Sequence, residues 1–221
     1  MSSRFLTHEE AQAFYDRFGS KQDKQQWYEG PAVQDMVNHG EFEAAESVVE
    51  LGCGTGAFAG ELLQHHLPQT ATYLGIDISS TMVELSRKRL EPFAGRAEIV
   101  LTDGARKIDL PDSSCDRFIA NYVLDLLSPS DIRQVLDEAH RLLKPEGRLC
   151  VVNFTPGRTG VARIVTWVLD RVHRLHPSLL GGCRPLLLQD YRDQELWQVE
   201  YHHVVTAYEI PSEVMVASKR L

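Results

Sequence analysis

The chain has 221 residues, of which 43% are hydrophobic and 24% are charged, and its formal net charge is −8. This length and composition are typical of one globular domain, and they argue against a disordered or fibrous class. The acidic balance argues against nucleic acid as a partner, because nucleic-acid binding usually needs a basic patch or stripe.

Two helices are predicted before the first strand. A capping box and apolar residues at helical spacing indicate a helix over about 7–18. A second helix is predicted over Pro31 to His39, with Gly40 as its stop. We expect residues 1–44 to form a helical flap. Its aromatic residues, Tyr15 among them, either cover a ligand pocket or pack on the core.

A β-branched run from Val48 ends in three glycines at alternate positions, Gly52, Gly54 and Gly56. This pattern predicts a buried parallel strand that ends in a tight turn, whose bare backbone a ligand can approach closely. Helical spacing resumes at Ala57, so the turn leads into a helix N-terminus that favours a carboxylate or phosphate. A glycine turn alone is weak evidence, since dinucleotide enzymes use the related G-x-G-x-x-G pattern.

Glu50 lies two residues before the first of these glycines, and Cys53 lies between the first two. With this spacing the stretch resembles motif I of the class I S-adenosylmethionine (SAM) methyltransferases. In that family the acid steers the methionine end of SAM. The resemblance implies SAM as the cofactor, S-adenosylhomocysteine as the product, and a SAM carboxylate and amine near the turn. The residues by themselves indicate only a turn that tolerates an anion.

A strand-like run over 71–76 delivers Asp77 at its end, about 20 residues past the glycines. In a doubly wound sheet this position lies beside the glycine turn, where a carboxylate can accept hydrogen bonds from both ribose hydroxyls. Together with Ile78 and Met82 the stretch resembles motif II of the family, and Met82 is expected to pack against adenine. Asp77 could instead cap the next helix, but a capping box over 81–84 is predicted there and leaves Asp77 for a ligand.

A third strand over 97–101 is followed by Asp103 and Gly104. Asp-Gly is an ordinary turn signal, but a carboxylate at this strand end could accept the adenine amino group. Motif III of the family has this form. A fourth strand is predicted over 117–123, and Asn121 within it resembles the motif IV position, where an oxygen faces the methionine part of SAM.

The next predicted elements are a helix, a turn and a fifth strand. Ser128 is suited to cap the helix, whose apolar stripe predicts a core-facing surface. A turn at 144–147 closes it, and the strand follows over 148–154.

The last third of the chain carries fewer motifs. A helix over 161–175 presents one apolar face, for which core packing is the default explanation and a lipid-facing surface the alternative. Two terminal strands, over 197–208 and 214–218, are predicted around a turn at 210–212.

The resemblance implies an α/β three-layer sandwich. Its seven-stranded, mostly parallel Rossmann-like sheet would have the order 3-2-1-4-5-7-6, with the last strand antiparallel. We expect a single methyltransferase domain, in which 45–155 binds SAM and 156–221 supplies the acceptor side and the terminal strand pair. The nearest group is the ubiquinone- and menaquinone-biosynthesis methyltransferases, whose N-terminal segment folds over the cofactor pocket.

Few catalytic side chains are expected, because the methyl group on a sulfonium is already activated and mainly needs an aligned acceptor. An oxygen or carbon acceptor can still require a general base, and the candidates are Tyr15, Tyr122 and Asp125. None of them carries a specific signature. Aromatic residues of the flap and the 155–191 segment could line an apolar acceptor site or the core; those expected to contact substrate are Tyr15, Tyr28, Trp167 and Tyr191.

The predicted function is methyl transfer from SAM to a small-molecule acceptor. A SAM-binding module without catalysis, acting through a protein partner, is the main alternative, and a nicotinamide dehydrogenase is the third. Four scattered cysteines without a C-x-x-C pair indicate neither a metal site nor disulfides. No apolar run reaches the ~18 to 20 residues of a membrane span, so a cytoplasmic protein is expected, although a lipid acceptor stays open.

Overall fold

A seven-stranded sheet with helices on both faces forms the frame of the molecule in the computed structural model, which describes residues 5–104, 107–158 and 160–220. The strands are β1 (Ser47–Leu51), β2 (Thr72–Asp77), β3 (Ala97–Leu101), β4 (Cys115–Asn121), β5 (Leu143–Phe154), β6 (Trp197–Ala207) and β7 (Ile210–Lys219). The helices are α1 (His8–Phe18), α2 (Gln26–His39), α3 (Ala57–His65), α4 (Ser80–Arg89), α5 (Pro129–Leu142) and α6 (Gly160–Leu175).

The strand order is β3-β2-β1-β4-β5-β7-β6, as predicted. The first five strands pair in parallel, and β7 runs antiparallel to both of its neighbours. Two apolar clusters cover the two faces of the sheet, which explains why the central strands are near-continuous hydrophobic runs. Since all the parallel strands end at the same edge, the segments after β1, β2, β3 and β4 converge there.

Three predicted boundaries are wrong because tertiary pairing overrides local signals. α2 begins at Gln26 and not at Pro31, so the proline lies inside the helix. β5 begins at Leu143, which pairs with Cys115 of β4, so the predicted turn at 144–147 belongs to a strand. The terminal hairpin turns at 208–209, where both residues have positive φ, and not at 210–212.

The helix α6 overturns the expectation that its apolar face packs in the core. Its buried side chains are few and small or polar, namely Ala162, Thr166 and His173. Val165, Leu169 and Val172 are half-buried, and the other large apolar residues point outward, with Ile164 64% and Leu175 75% exposed. The helical periodicity was sound, but periodicity alone does not tell which side of a helix meets the protein.

The flap closes over the carboxyl edge of the sheet. α1 carries the predicted capping box, in which Thr7 and Glu10 bond reciprocally, and it contains no fully buried residue. A 3₁₀ helix at Gly19–Gln25 joins it to α2, and both α1 and this 3₁₀ helix pack on α4.

Candidate cofactor and acceptor site

The glycine turn after β1 is the centre of the site. All three of its glycines have positive φ, which residues with a side chain rarely adopt. A Cβ on Gly52 would lie 2.3 Å from the Val123 side chain, and one on Gly54 would lie 2.5 Å from Gln22 Oε1. The Gly52 N–H donates to the Ile76 carbonyl at 2.7 Å, so the turn is held against β2. The turn thus keeps its backbone accessible only because side chains are absent.

Asp77 fixes the same turn from the end of β2. Its carboxylate accepts hydrogen bonds from the backbone N–H groups of Gly54 and Ser79, both at 2.9 Å. Burial raises the pKa of this carboxyl, and the two N–H donors oppose that rise. The predicted capping box over 81–84 is wrong, because Ser79 is the N-cap of α4 and accepts from the Met82 N–H. Asp77 therefore organises the turn in addition to bordering the cavity described below.

Glu50 and Asn121 lie on adjacent strands beside the turn. Glu50 is 2% exposed, accepts a hydrogen bond from the Tyr73 hydroxyl, and has its pKa raised to about 8 by burial. Asn121 is near enough to oppose that rise. Neither side-chain polar atom of Asn121 has a hydrogen bond of normal geometry to the described residues, nor does Oε1 of Gln22. Buried polar groups without partners are uncommon, so this point fits a polar ligand.

Two cavities meet at this point. The first has a volume of about 510 Å³ and the second about 330 Å³. These are sizes typical of small-molecule sites. Both are lined by Gln22, Gly52, Asn121 and Tyr122, so a single ligand could extend from one to the other.

The predicted cofactor residues divide between the two cavities. Asp77, Ile78, Met82, Asp103 and Gly104 border the first, and Glu50 and Cys53 border the second. Gly56 borders neither; it is the N-cap of α3, where a Cβ would lie 2.4 Å from Ser86 Oγ. The sequence motifs thus identified one continuous edge of the sheet.

The flap forms the roof of this edge, and two carboxylates attach it. Asp16 of α1 accepts from Ser79 Oγ at 2.6 Å and from the Thr81 N–H at 3.2 Å. Asp23 accepts from Thr55 Oγ1 at 2.5 Å and pairs with Arg89 at 2.6 Å. The pKa of each carboxyl is lowered, by the Ser79 hydroxyl and neighbouring donors against burial at Asp16, and chiefly by the Arg89 hydrogen bond at Asp23. We call these two carboxylates the latches. They join the flap to α4 and to the glycine turn.

A group of titratable side chains lies between the flap and the segment after α6. Burial raises the pKa of Asp125 to about 6 and that of Glu29 to about 7. Burial also raises the pKa values of three phenols and a thiol, which are therefore protonated at neutral pH. These four are Tyr15, Tyr28, Tyr122 and Cys183.

Access to the cavities separates the three predicted base candidates. Tyr15 borders the first cavity and Tyr122 borders both. Asp125 is fully buried, borders neither cavity, and accepts a hydrogen bond from the Cys183 thiol at 3.1 Å. Glu29, by contrast, borders the second cavity. Sequence reasoning missed Glu29, because no local pattern marks it and its position depends on the early start of α2.

The structure does not bring all four predicted substrate residues together. Trp167 is 59% exposed on the outer side of α6, under the Arg171 guanidinium. Tyr191 packs on the apolar cluster below α5, and the Arg133 guanidinium lies 5.7 Å from its ring. Of the four, Tyr15 borders the first cavity, and Tyr28 belongs to the titratable group beside it.

Comparison with known proteins gives a consistent pattern. Residues 48–147 match the model of a methyltransferase domain family. A demethylmenaquinone methyltransferase of Tropheryma whipplei is 35% identical over 139 residues, covering 61% of this chain and 54% of the relative. A tRNA N(3)-methylcytidine methyltransferase of Drosophila melanogaster is 28% identical over 121 residues, covering 53% and 37%. The chain thus spans about half or less of the length of these curated relatives.

The fold also matches solved structures. One is a chain from the complex between the Haloferax volcanii Trm112 methyltransferase activator and a methyltransferase. The TM-score is 0.73 at 14% identity, covering 96% of this chain and 98% of that one. Such a likeness speaks for the fold alone. In the described part of the chain, no helix is long and apolar enough to cross a membrane.

Proposed function

We propose that this chain, whose residues 48–147 match a methyltransferase domain family, is a class I SAM-dependent methyltransferase that transfers a methyl group from SAM to a small, mainly apolar acceptor beneath the flap. The observation that carries the proposal is the meeting of two cavities beside the glycine turn, at side chains with unpartnered polar atoms. SAM is the methyl donor of this family, and it supplies an electrophilic methyl group.

The residues of the edge fit such a donor. The Asn121 amide and Gln22 Oε1 offer polar atoms without a hydrogen bond of normal geometry where an amino-acid moiety would need them, and Glu50 offers a carboxyl to an ammonium group. Asp77, whose carboxyl group already accepts hydrogen bonds from two N–H donors, borders the first cavity together with the apolar surface of Ile78 and Met82. This combination of an acidic group and apolar walls is suited to a nucleoside. In this proposal these residues bind and orient SAM, and α1 excludes water from the side of the flap.

The acceptor would lie on the flap side of this edge. Tyr15 and Tyr122 present protonated phenols, which donate hydrogen bonds but do not remove a proton at neutral pH. Glu29 borders the second cavity with a pKa near 7, the range in which a carboxyl is suited to take up a proton. We assign it the role of general base for an acceptor hydroxyl or acidic carbon, with Asp125 behind it and out of reach of the cavities.

The relatives' names leave other acceptors open, since one methylates tRNA and a structural neighbour is in complex with an activator protein. A small acceptor is supported by the net charge of −8 and by the enclosed, roofed cavities, which a base in a polynucleotide would enter only after leaving its stack.

The test is incubation of the chain with SAM carrying an isotope-labelled methyl group and three kinds of acceptor. These are a panel of phenols and quinols, bulk tRNA, and a protein extract. We expect S-adenosylhomocysteine together with a small molecule that gains the methyl mass. Labelled tRNA or protein without a labelled small molecule would refute the acceptor class. Binding of SAM without turnover of any acceptor would favour the partner-dependent alternative.

Glu29→Gln tests the assigned base on the acceptor so found. We expect the rate to fall by about 100-fold or more, because the amide cannot take up a proton. The parent rate should rise as pH increases through about 7, where Glu29 ionises, and the variant should lose that rise. Glu84→Gln, on the exposed side of α4, is the matched control and should leave rate and profile unchanged. A variant with the parent's pH profile would remove Glu29 from the chemistry.

A further inference from the structure

The outer side of α6 is unlike the rest of this acidic surface. Between residues 158 and 179 the chain has four arginines and one aspartate, although its overall charge is −8. Exposed apolar side chains are concentrated in the same segment and continue into the next 3₁₀ helix, Pro177–Leu180. We call this surface the α6 face; its apolar members are Val161, Ile164, Trp167, Val168, Leu175 and Leu179.

Helical spacing sorts the α6 face into two adjacent rows. Val161, Ile164, Val168 and Leu175 follow one another at helical intervals and form an apolar row. The second row consists of Arg163, Trp167, Arg171 and Arg174, all of them exposed. The Arg171 guanidinium lies 5.3 Å from the Trp167 ring, and Arg174 pairs with the single aspartate of the segment at 2.8 Å. An apolar row bordered by arginines and a tryptophan is the pattern of a helix that lies in a membrane interface.

We propose that the α6 face binds the surface of an anionic lipid bilayer, with α6 lying in the plane of the interface. Its 16 residues extend about 24 Å along the axis, and no described helix is apolar enough to span a bilayer, so a parallel orientation is the one available. The charge selects the kind of lipid. Since the chain as a whole is acidic, a basic face is favoured over acidic surface for contact with anionic headgroups, so the charge distribution also orients the molecule.

The inner side of α6 and the loop after it contact the flap. On its inner side, His173 contacts the ring of Phe5 from the flap, with 6.3 Å between the ring centroids. The loop that follows places Gly181 against Phe14 of α1, and Gly181 also borders the first cavity. A bilayer at the α6 face would therefore lie beside the seam between the flap and the 177–184 segment. This goes beyond the proposed methyl transfer, and it can be tested without cofactor or acceptor.

The experiment is flotation of the full chain with vesicles of phosphatidylcholine mixed with phosphatidylglycerol, and with vesicles of phosphatidylcholine alone. We expect binding to the mixed vesicles that weakens as salt rises, and much weaker binding to the neutral ones. The variant with Ile164→Ser and Val168→Ser should bind the mixed vesicles at least about tenfold more weakly, since both side chains would enter the interface. Tyr208→Ser, which removes an aromatic residue that is 71% exposed on the terminal hairpin, is the control and should bind like the parent.

A charge variant examines the lipid selectivity separately. Arg171→Gln should weaken binding to the mixed vesicles about fivefold and leave the weak binding to neutral vesicles unchanged, whereas Lys88→Gln, on the exposed side of α4, should change binding to neither kind of vesicle. Thermal unfolding of each variant checks that it is folded; all of the replaced side chains are exposed.

Three results would overturn the proposal. The chain could fail to float with mixed vesicles, or it could float equally well after the α6 face is changed. Alternatively, it could form a dimer in solution that the Ile164 and Val168 variant abolishes while lipid binding is absent, in which case a second copy covers the face.

Discussion

The edge proposed to bind the cofactor, called the cofactor edge below, and the side proposed to bind the acceptor, called the acceptor side, are built by different means. At the cofactor edge, backbone groups of one short turn are fixed by a strand neighbour and by Asp77 within a single βαβ unit. On the acceptor side, side chains from the flap, from the turn after β4 and from the segment after α6 come together without a shared element. The first arrangement depends on local chain geometry, and the second depends on long-range packing.

The two regions also differ in how firmly they are held. The edge lies on strands that are buried on both faces of the sheet. α1, in contrast, has no fully buried residue and is attached through Asp16 and, by way of the 3₁₀ helix that follows it, through Asp23. Elements with little buried apolar surface open at low free-energy cost. We therefore expect substitutions at the edge to change global stability and substitutions at the latches to change only local opening.

The largest expected effect is at Glu50 of the edge. Its pKa is about 8 in the folded chain and close to 4.5 when unfolded, so between these values only the folded state binds the proton. The stability that protonated Glu50 contributes is therefore complete at low pH and is lost as pH rises through about 8. Glu50→Gln should remove this loss and raise the free energy of unfolding by roughly 3 kcal/mol at about pH 9, with little change at about pH 5.

Urea unfolding of parent and variant at the two pH values measures this difference. The control is Glu84→Gln, which removes an exposed carboxyl and should not change the pH dependence. Equal stability changes at both pH values would mean that Glu50 is not held protonated by burial.

The second effect concerns Asp77. Asp77→Ala leaves the buried N–H groups of Gly54 and Ser79 without an acceptor, so we expect about 2 to 3 kcal/mol less stability and 1 to 3 kcal/mol weaker SAM binding. Asp77→Asn retains one acceptor oxygen and should fall between parent and alanine variant. Calorimetric titration with SAM and thermal unfolding give the two quantities. A folded alanine variant that binds SAM like the parent would refute a role for Asp77 in the cofactor site.

The cofactor edge could be predicted from the sequence, and most of the acceptor side could not. The glycine spacing, Asp77 and Asp103 lie just after apolar runs that mark parallel strands, and parallel strands end at the same edge of the sheet, so reasoning about nearby residues was enough to bring them to one cavity. Glu29 could not be found in this way. It reaches the second cavity because α2 starts five residues before the expected proline, and no capping side chain marks that start in the sequence.

The failure at α6 has a further physical reason. An amphipathic pattern states that one side of a helix avoids water, and it is the same whether that side meets a core or another apolar phase. In this helix the fully buried side chains are the small one of Ala162 and the polar ones of Thr166 and His173, and the most exposed apolar ones, such as Ile164 and Leu175, face outward. Only the tertiary structure distinguishes the two cases.

The smallest expected effect, and the sharpest comparison of the two regions, is at the Asp16 latch. Asp16→Asn keeps an oxygen at this position but removes the charge that strengthens its bonds to Ser79 and Thr81. We expect about 1 kcal/mol easier opening, so amide exchange in α1 should be about fivefold faster while global stability hardly changes. Asp170→Asn, which removes an exposed partner of Arg174 on α6, is the matched control and should leave α1 unaffected. S-adenosylhomocysteine should slow exchange in α1 of both parent and latch variant, because a ligand under the flap stabilises the closed state by mass action. If the latch variant exchanged like the parent, the charge of Asp16 would not contribute to holding the flap closed. If the ligand left α1 exchange unchanged, the flap would not close over it, and the acceptor would have to reach the cofactor edge by another route.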